Sequence, residues 1–500
     1  MKKILLLIAL SLGLSASAQS VFEGVYSPLP ADPNGPDAEY QLISRHYGYN
    51  DTASFFHFRK ELTILRNRAL TAYAWLGESF VVWNPEVEEL IINECYTIQR
   101  DGKRVEMNPA GYVEQLPSAC ADCGFLNHMR ELAIVHCGMD YGCTIVLDYT
   151  IVNHRNSRSE WALPDLVLNQ DCPVKKYEVV YDSPNEMNYS YSGNPQVVND
   201  GHSLHLVWNN LPQTYQEPYL PTAKQLYSTL RITSTLPTDE GRFAIENIDI
   251  NPEMELLVTS IDDRDLLKYA THIRDYVVDN IRTVNQPEYE EYSDEALVWN
   301  AWRYRCGTPE HKTCLLGQLF KAAGFEPQVD LNSRLVHLTI DSIDYAFSPV
   351  SKHAVKPFGA AIDAIDSVLV NQTIEEPKLE SLAGRYSRLS LPAESRGLNI
   401  YPAYLTPSRK APLAVRPILE DYSYTITLPE GIRMVGKPVS ISKKQKGLGE
   451  MQISISQEGN TLKVHRRLSV NTDIIAIGKD YKAFREWMIL WDQHKTITLQ

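Results

Sequence analysis

Thiols and imidazoles are the side chains in this sequence best able to do chemistry. One stretch gathers them: RYRCGTPEHKTCLLGQLFKAAGFEPQV, Arg303 to Val329, holds Cys306, His311 and Cys314, and His337 follows soon after. A thiolate beside an imidazole is a nucleophilic pair, and a thiol at a helix N-terminus ionises readily because unpaired N–H groups and the positive end of the helix dipole favour the anion. The helix is legible. Thr308 is a good N-cap, Pro309 suits N1, Glu310 at N2 complements the dipole, and Gly324 closes at C′, so the segment from Pro309 to Ala323 is expected to be helical. Cys314 lies five residues past Pro309, about 7.5 Å along the axis and about 140° around it, away from the helix start. It reads as an apolar filler or as a disulfide partner of Cys306. Cys306, on the loop before the helix, is the only thiol that could act as a nucleophile. His311, at N3, could face a pocket mouth and pair with His337. Two histidines without a third ligand do not make a metal site, and His337 alone on a strand is more simply a packed histidine.

The elements that must position these residues change character along the chain. From about Val21 to Leu236, stretches such as SFVVWN, ELIINECYTIQRDGKRV, CTIVLDYTIVN and HSLHLVW alternate apolar and polar residues between turn signals, which predicts antiparallel strands with solvent on one face. Between Asp262 and Gly324 the period shifts to that of helices. Leu266, Leu267, Ala270, Ile273, Val277 and Ile281 share one stripe behind capping aspartates, and SDEALVWNAWRYR forms a second helix behind Ser293. EPQVDL, RLVHLTID and SIDYAFSPV then read as strands, with Asp341-Ser342 as the turn that sets Ala346 opposite His337 and Ser348 as its diagonal neighbour. A Pro- and Ser-punctuated connector precedes a last alternating region and a short helix, KDYKAFREWMILWDQ.

The middle region resembles the transglutaminase-like superfamily. Gly307, the Leu315-Leu316 pair and KAAGF (Lys321 to Phe325) match the frame of that family's nucleophile helix. The resemblance implies a catalytic Cys six residues before Leu315, a His on a following strand and an Asp before a Pro on the next. In this sequence those positions hold Pro309, His337 and Ser348. Proline has neither thiol nor N–H, and serine cannot stabilise an imidazolium as an aspartate does. Residues 40 to 240 look like the uncharacterised β domain that precedes such domains in bacterial envelope proteins, and residues 416 to 500 look like the small β domain that follows them.

The expected fold is therefore multidomain β plus α+β. It comprises a signal peptide at 1–18, an N-terminal antiparallel β-sandwich at 21–240, a central papain-like or transglutaminase-like α+β domain at 241–370, a linker at 371–415 and a small β domain at 416–500. MKKILLLIALSLGLSASAQS has the charge, apolar run and Ala16-Ser17-Ala18 of a cleaved secretory signal, with no lipobox cysteine, so a periplasmic or secreted location is expected. No later run is long and apolar enough to span a membrane. Acidic residues outnumber basic ones 62 to 48, a net charge of −14, which argues against nucleic acid as a partner.

Eight cysteines (Cys95, Cys120, Cys123, Cys137, Cys143, Cys172, Cys306 and Cys314) are an even, clustered set, read in an exported chain as disulfides with connectivity open. A zinc reading of Cys120 to Cys143 with His128 and His136 is weaker, because the second half lacks a paired C-x-x-C. No cofactor is expected. The resulting reading is an exported, catalytically inactive transglutaminase-like module that binds an envelope protein, peptide or glycan. The alternative is a thiol amidohydrolase or acyltransferase using Cys306 with His337.

Overall fold

The computed structural model describes residues 35–49, 52–72, 74–154, 163–183, 187–234, 248–284, 294–331, 333–352, 355, 366–392, 406–415 and 417–500. The signal segment, Ser293 and most of the acidic run 286–296 lie outside the described residues.

The N-terminal part is β throughout. Its strands are β1 (Ala38–Tyr49), β2 (Ser54–Ile64), β3 (Glu78–Trp83), β4 (Glu88–Ile98), β5 (Arg104–Glu106), β6 (Tyr112–Gln115), β7 (Arg130–Val135), β8 (Thr144–Asn153), β9 (Leu163–Val167), β10 (Val174–Asp182), β11 (Met187–Tyr191), β12 (Gln196–Asn199), β13 (Ser203–Leu211) and β14 (Thr229–Ser234). Eight of them form one sheet in the order β12-β13-β10-β1-β2-β8-β4-β5. Its pairs are antiparallel except β1 with β10. That parallel pair needs a long crossover, which the chain from β2 to β9 supplies.

Alternation then decides what covers the sheet. Tyr47, Tyr177, Tyr181, Leu206 and Trp208 point inward with Leu230 and Ile232 of the small sheet β11-β14-β9, while Leu147, Tyr149 and Ile151 meet Val81, Trp83 and Ile134 of the small sheet β3-β7-β6. Two three-stranded sheets thus lie side by side over one large one. The opposite face of the large sheet carries charge, as with Arg59, whose Nη1 lies 2.7 Å from Glu94 and 3.0 Å from Asp148.

The middle domain is built around one helix. Its helices are α1 (Pro252–Thr259), α2 (Leu266–Asn280), α3 (Asp294–Tyr304) and α4 (Pro309–Ala322). Every residue of α4 from His311 to Phe320 is buried. A helix buried on all sides must be walled on all sides. Met254, Val258, Ile273, Val277 and Val298 of the other helices pack with Leu315, Leu319 and Phe320, and Val336, Leu338 and Phe347 close the remaining side. The last three belong to a small antiparallel sheet of β17 (Gln328–Asp330), β18 (Leu335–Ile340) and β19 (Ile343–Phe347), labelled after the short parallel pair β15 (Arg282–Thr283) and β16 (Cys306–Gly307). Asp265 caps α2 by accepting the N–H groups of Leu267 and Lys268, each at 3.1 Å.

The C-terminal domain differs from expectation at its start. Residues read as the end of the middle domain and as a linker supply strands: Asp366–Ile374 pairs in parallel with Ile418–Thr427 at the edge of a five-stranded sheet, and Ser387–Ser390 lies between Leu379–Ser381 and the final strand Thr496–Leu499. The helix α5 (Lys479–Gln493) closes the core with Phe484, Trp487 and Trp491. This domain is clamped to the first by Glu217, whose carboxylate accepts the N–H groups of Lys410 (2.9 Å) and Ala411 (3.1 Å).

Candidate functional site

The start of α4 is where nucleophile chemistry would have to begin. Thr308 is its N-cap, with φ −64° and ψ 166°, and its hydroxyl bonds Nδ1 of His311 at 2.8 Å while accepting the His311 N–H at 3.4 Å. Pro309 occupies N1, where a missing N–H does no harm. Lys312 is 1% exposed, and its ammonium donates to the Ile281 carbonyl (2.7 Å) and the Thr283 hydroxyl (3.0 Å), which ties α4 to β15. Burial pulls that ammonium down to about 8.

Cys306 is oxidised. Its sulfur is bonded to Cys123 of the N-terminal domain, across 183 residues, with Cα atoms 6.0 Å apart. A cystine has no thiol to ionise, so the alternative nucleophile named from the sequence is absent in this structure. Of the two readings of Cys314, the disulfide with Cys306 gives way to the pairing of Cys306 with Cys123. Cys314 is fully buried among Leu315, Leu316 and their neighbours, the filler reading.

The loop that carries Cys123 also covers the helix start. Phe125 lies on the His311 ring with centroids 4.8 Å apart and beside Tyr304 at 5.8 Å. Gly124 makes this approach possible, since a Cβ there would stand 2.6 Å from a Tyr304 ring carbon. Arg282 reaches across to donate to the carbonyls of Ala119 (2.8 Å) and Ala121. His311, expected at a pocket mouth, is instead 1% exposed, and burial lowers its pKa to about 4, so it is neutral at pH 7.

His337 pairs in register with Gln328 and Ala346, as the turn at Asp341 and Ser342 dictates; both turn residues have positive φ, 50° and 64°. Alternation puts it on the face of β18 opposite Val336, Leu338 and Ile340, which pack in the domain core. The Ser348 hydroxyl accepts the Val350 N–H at 3.4 Å. The strand start is nonetheless tied to the helix, since Arg334 and Glu310 form an ion pair at 2.7 Å.

The clustered cysteines do not form the expected framework. Cys95, Cys137, Cys143 and Cys172 are free thiols. Cys143 and Cys172 are buried in one cluster with Leu62 and Ile64 and are not bonded to each other. Cys120 is fully buried beside the cystine. Burial pushes the Cys172 thiol up to about 11 and raises those of Cys95 and Cys143, which makes them poor nucleophiles at neutral pH. Among the described residues no group of three or more His, Cys, Asp or Glu side chains converges as a metal site, and the zinc reading loses Cys123 to the disulfide. Sequence reasoning missed Cys123 as the partner of Cys306 and the covering role of Phe125. The only sequence trace of either is Gly124-Phe125 directly after the Cys120-x-x-Cys123 pair.

Known proteins resemble the chain in parts and in overall fold. Residues 50–213 match the family model described as a Domain of Unknown Function with solved structure, DUF3857, and residues 388–499 match the one described in the same words as DUF3858. The second match begins inside the stretch first read as a linker, in agreement with the strands found there. No curated protein matches the sequence. Among solved structures, the chain is similar to one named a "putative protease" from Parabacteroides distasonis, with 20% identity and a TM-score of 0.69, covering 93% of this chain and 99% of that one. At that identity the likeness concerns the fold alone. Neither family model reaches the middle domain, which is matched only through the likeness in fold.

Proposed function

We propose that this chain is an exported, catalytically inactive member of the transglutaminase-like fold family, serving as a binding or scaffold module for a protein, peptide or glycan in a bacterial envelope. The observation that carries this reading is Pro309 at N1 of α4, with the nearest cysteine in sequence, Cys306, held in a cystine. Function follows from a site and not from a fold, and this site lacks an attacking atom. The protease description of the Parabacteroides distasonis protein would extend to this chain as a thiol mechanism only with a cysteine at the helix start, where Pro309 stands. The disulfide and the secretory-type N-terminus support export into an oxidising compartment.

Purified protein is to be assayed for hydrolysis of casein and for incorporation of a fluorescent amine into casein, before and after mild reduction of the disulfide. The expected result is no rate above buffer in either state. A rate that appears on reduction and is lost in both Cys306→Ser and His337→Ala would overturn the proposal in favour of the thiol enzyme.

A further inference from the structure

The N-terminal domain holds a feature that neither packing nor the middle domain uses. One cross-strand row on the inner face of the large sheet runs Tyr177, Ile43, Lys60, Leu147, Cys95, and the next runs Val179, Arg45, Phe58, Tyr149, Ile92. Every other member of these rows is apolar, aromatic or a thiol, as alternation requires of an inward face. Lys60 and Arg45 are diagonal neighbours among them, two cations where the fold needs none.

Both line a cavity of about 220 Å³ over the inner face of the large sheet, with Ser79 and Phe80 of β3 and with Gln170, which follows β9, also in its lining. No carboxylate is among the described residues that line it. Among the described residues the Lys60 ammonium has no hydrogen-bond or ion-pair partner. Arg45 donates from Nε to the Tyr177 hydroxyl (2.8 Å) and from Nη1 to that of Tyr47 (3.2 Å), which leaves Nη2 over. Phe58 lies under the guanidinium at 5.3 Å. Burial raises the phenols of Tyr40, Tyr149 and Tyr177, so they stay neutral and cannot balance the cations. Ser79 is fixed in the wall by a 2.7 Å bond between its hydroxyl and Nε2 of His136. Burial takes that imidazole down to about 3, too weak a base to activate the serine, so the pair orients a hydroxyl and does not make a nucleophile.

We propose that this cavity is a binding site for a small organic carboxylate, its anionic end between Lys60 and Arg45 and its apolar body against Phe58, Leu147 and Tyr149. The chemistry follows from the wall. Two like charges without a counter-ion repel each other and favour an anion between them, and a guanidinium offers paired N–H groups to a planar carboxylate. Aromatic walls add little for a bare mineral oxyanion and much for a ring or alkyl group. The volume lies below the roughly 300–1,000 Å³ of drug-sized sites, so a single-ring acid fits better than a nucleotide or disaccharide. The site does not depend on whether the middle domain is inactive.

The test uses the full mature chain and three probes: benzoate, its neutral isostere benzamide, and inorganic phosphate, each by calorimetric titration and thermal denaturation. Benzoate is expected to bind at or below roughly 1 mM and to raise Tm, with benzamide and phosphate each at least about ten-fold weaker. Lys60→Met is expected to weaken benzoate at least about ten-fold while melting no lower than the parent without ligand, because it completes the apolar row. Benzamide binding as well as benzoate, phosphate binding as well as benzoate, no benzoate binding, or full benzoate affinity in a folded Lys60→Met variant would each overturn the proposal. The benzamide comparison needs no variant and decides the matter even if Lys60→Met fails to fold.

Discussion

The neutral histidine at the head of α4 makes the molecule's stability depend on pH in a calculable way. His311 is 1% exposed, packed under Phe125 and bonded to Thr308, and burial lowers its pKa from 6.5 to about 4. A depressed folded-state pKa means that the unfolded chain takes up the proton first as pH falls. The stability is therefore present above pH 6.5 and is lost as pH falls toward 4. With those two values the loss from His311 between pH 7 and pH 5 is about 2 kcal/mol, most of the roughly 3 kcal/mol that the whole shift represents. His311→Gln keeps an amide within reach of Thr308 and removes the titration. Urea unfolding of both proteins at pH 7 and pH 5 isolates the difference, because other titrating groups, including the buried His136, contribute equally to each. The parent is expected to lose about 2 kcal/mol more than the variant over that interval. Equal losses in the two proteins would refute the reasoning and mean that His311 is hydrated or charged in the fold.

Three further outcomes follow from the same geometry. Cys123→Ser with Cys306→Ser opens a crosslink spanning 183 residues, for which loop-closure entropy gives an upper limit of about 5 kcal/mol; the double variant should melt lower and be cleaved by chymotrypsin at Phe125 or Leu126, and an unchanged Tm would contradict the crosslink. Lys312→Met strands the buried Ile281 carbonyl and the Thr283 hydroxyl and should destabilise by about 2–4 kcal/mol at pH 7, read as a shift in the urea midpoint. Glu88 is 5% exposed, with Oε1 unpartnered among the described residues, and burial raises its pKa to about 7, so its charging opposes folding as pH rises from 4.5 through 7. Glu88→Gln should therefore gain up to about 3 kcal/mol at pH 8 and little at pH 4.5; a gain independent of pH would count against that origin.

Much of the middle domain was legible from local rules. The Thr308-Pro309 start, the Asp265 cap, Gly324 with φ +86°, and the Asp341-Ser342 turn that sets His337 against Ala346 are all decided within a few residues of chain. The strand Asp366–Ile374 escaped because it is an edge strand whose Leu369 is 73% exposed, so its two faces are not sorted by polarity. The Cys123–Cys306 pairing escaped because it depends on how two domains dock, and sequence spacing carries no information about that. The six clustered cysteines misled for a related reason: only Cys95 lies in a strand of the large sheet, while Cys120 and Cys123 sit on the loop that docks against the middle domain. Lys60 was visible in HFRKELTI as a charge on the inward side of an apolar alternation, but only the register of four neighbouring strands shows that nothing balances it.

The claim that the start of α4 has no attacking group meets its most direct test in native alkylation. The protein, purified without reductant, is treated with iodoacetamide at neutral pH, digested and mapped by mass spectrometry. The expected map contains the Cys123–Cys306 cystine peptide and no labelled Cys306. Stoichiometric, rapid labelling of Cys306 in the parent, slowed in His337→Ala, would show a reduced thiol activated by that imidazole and would contradict the account.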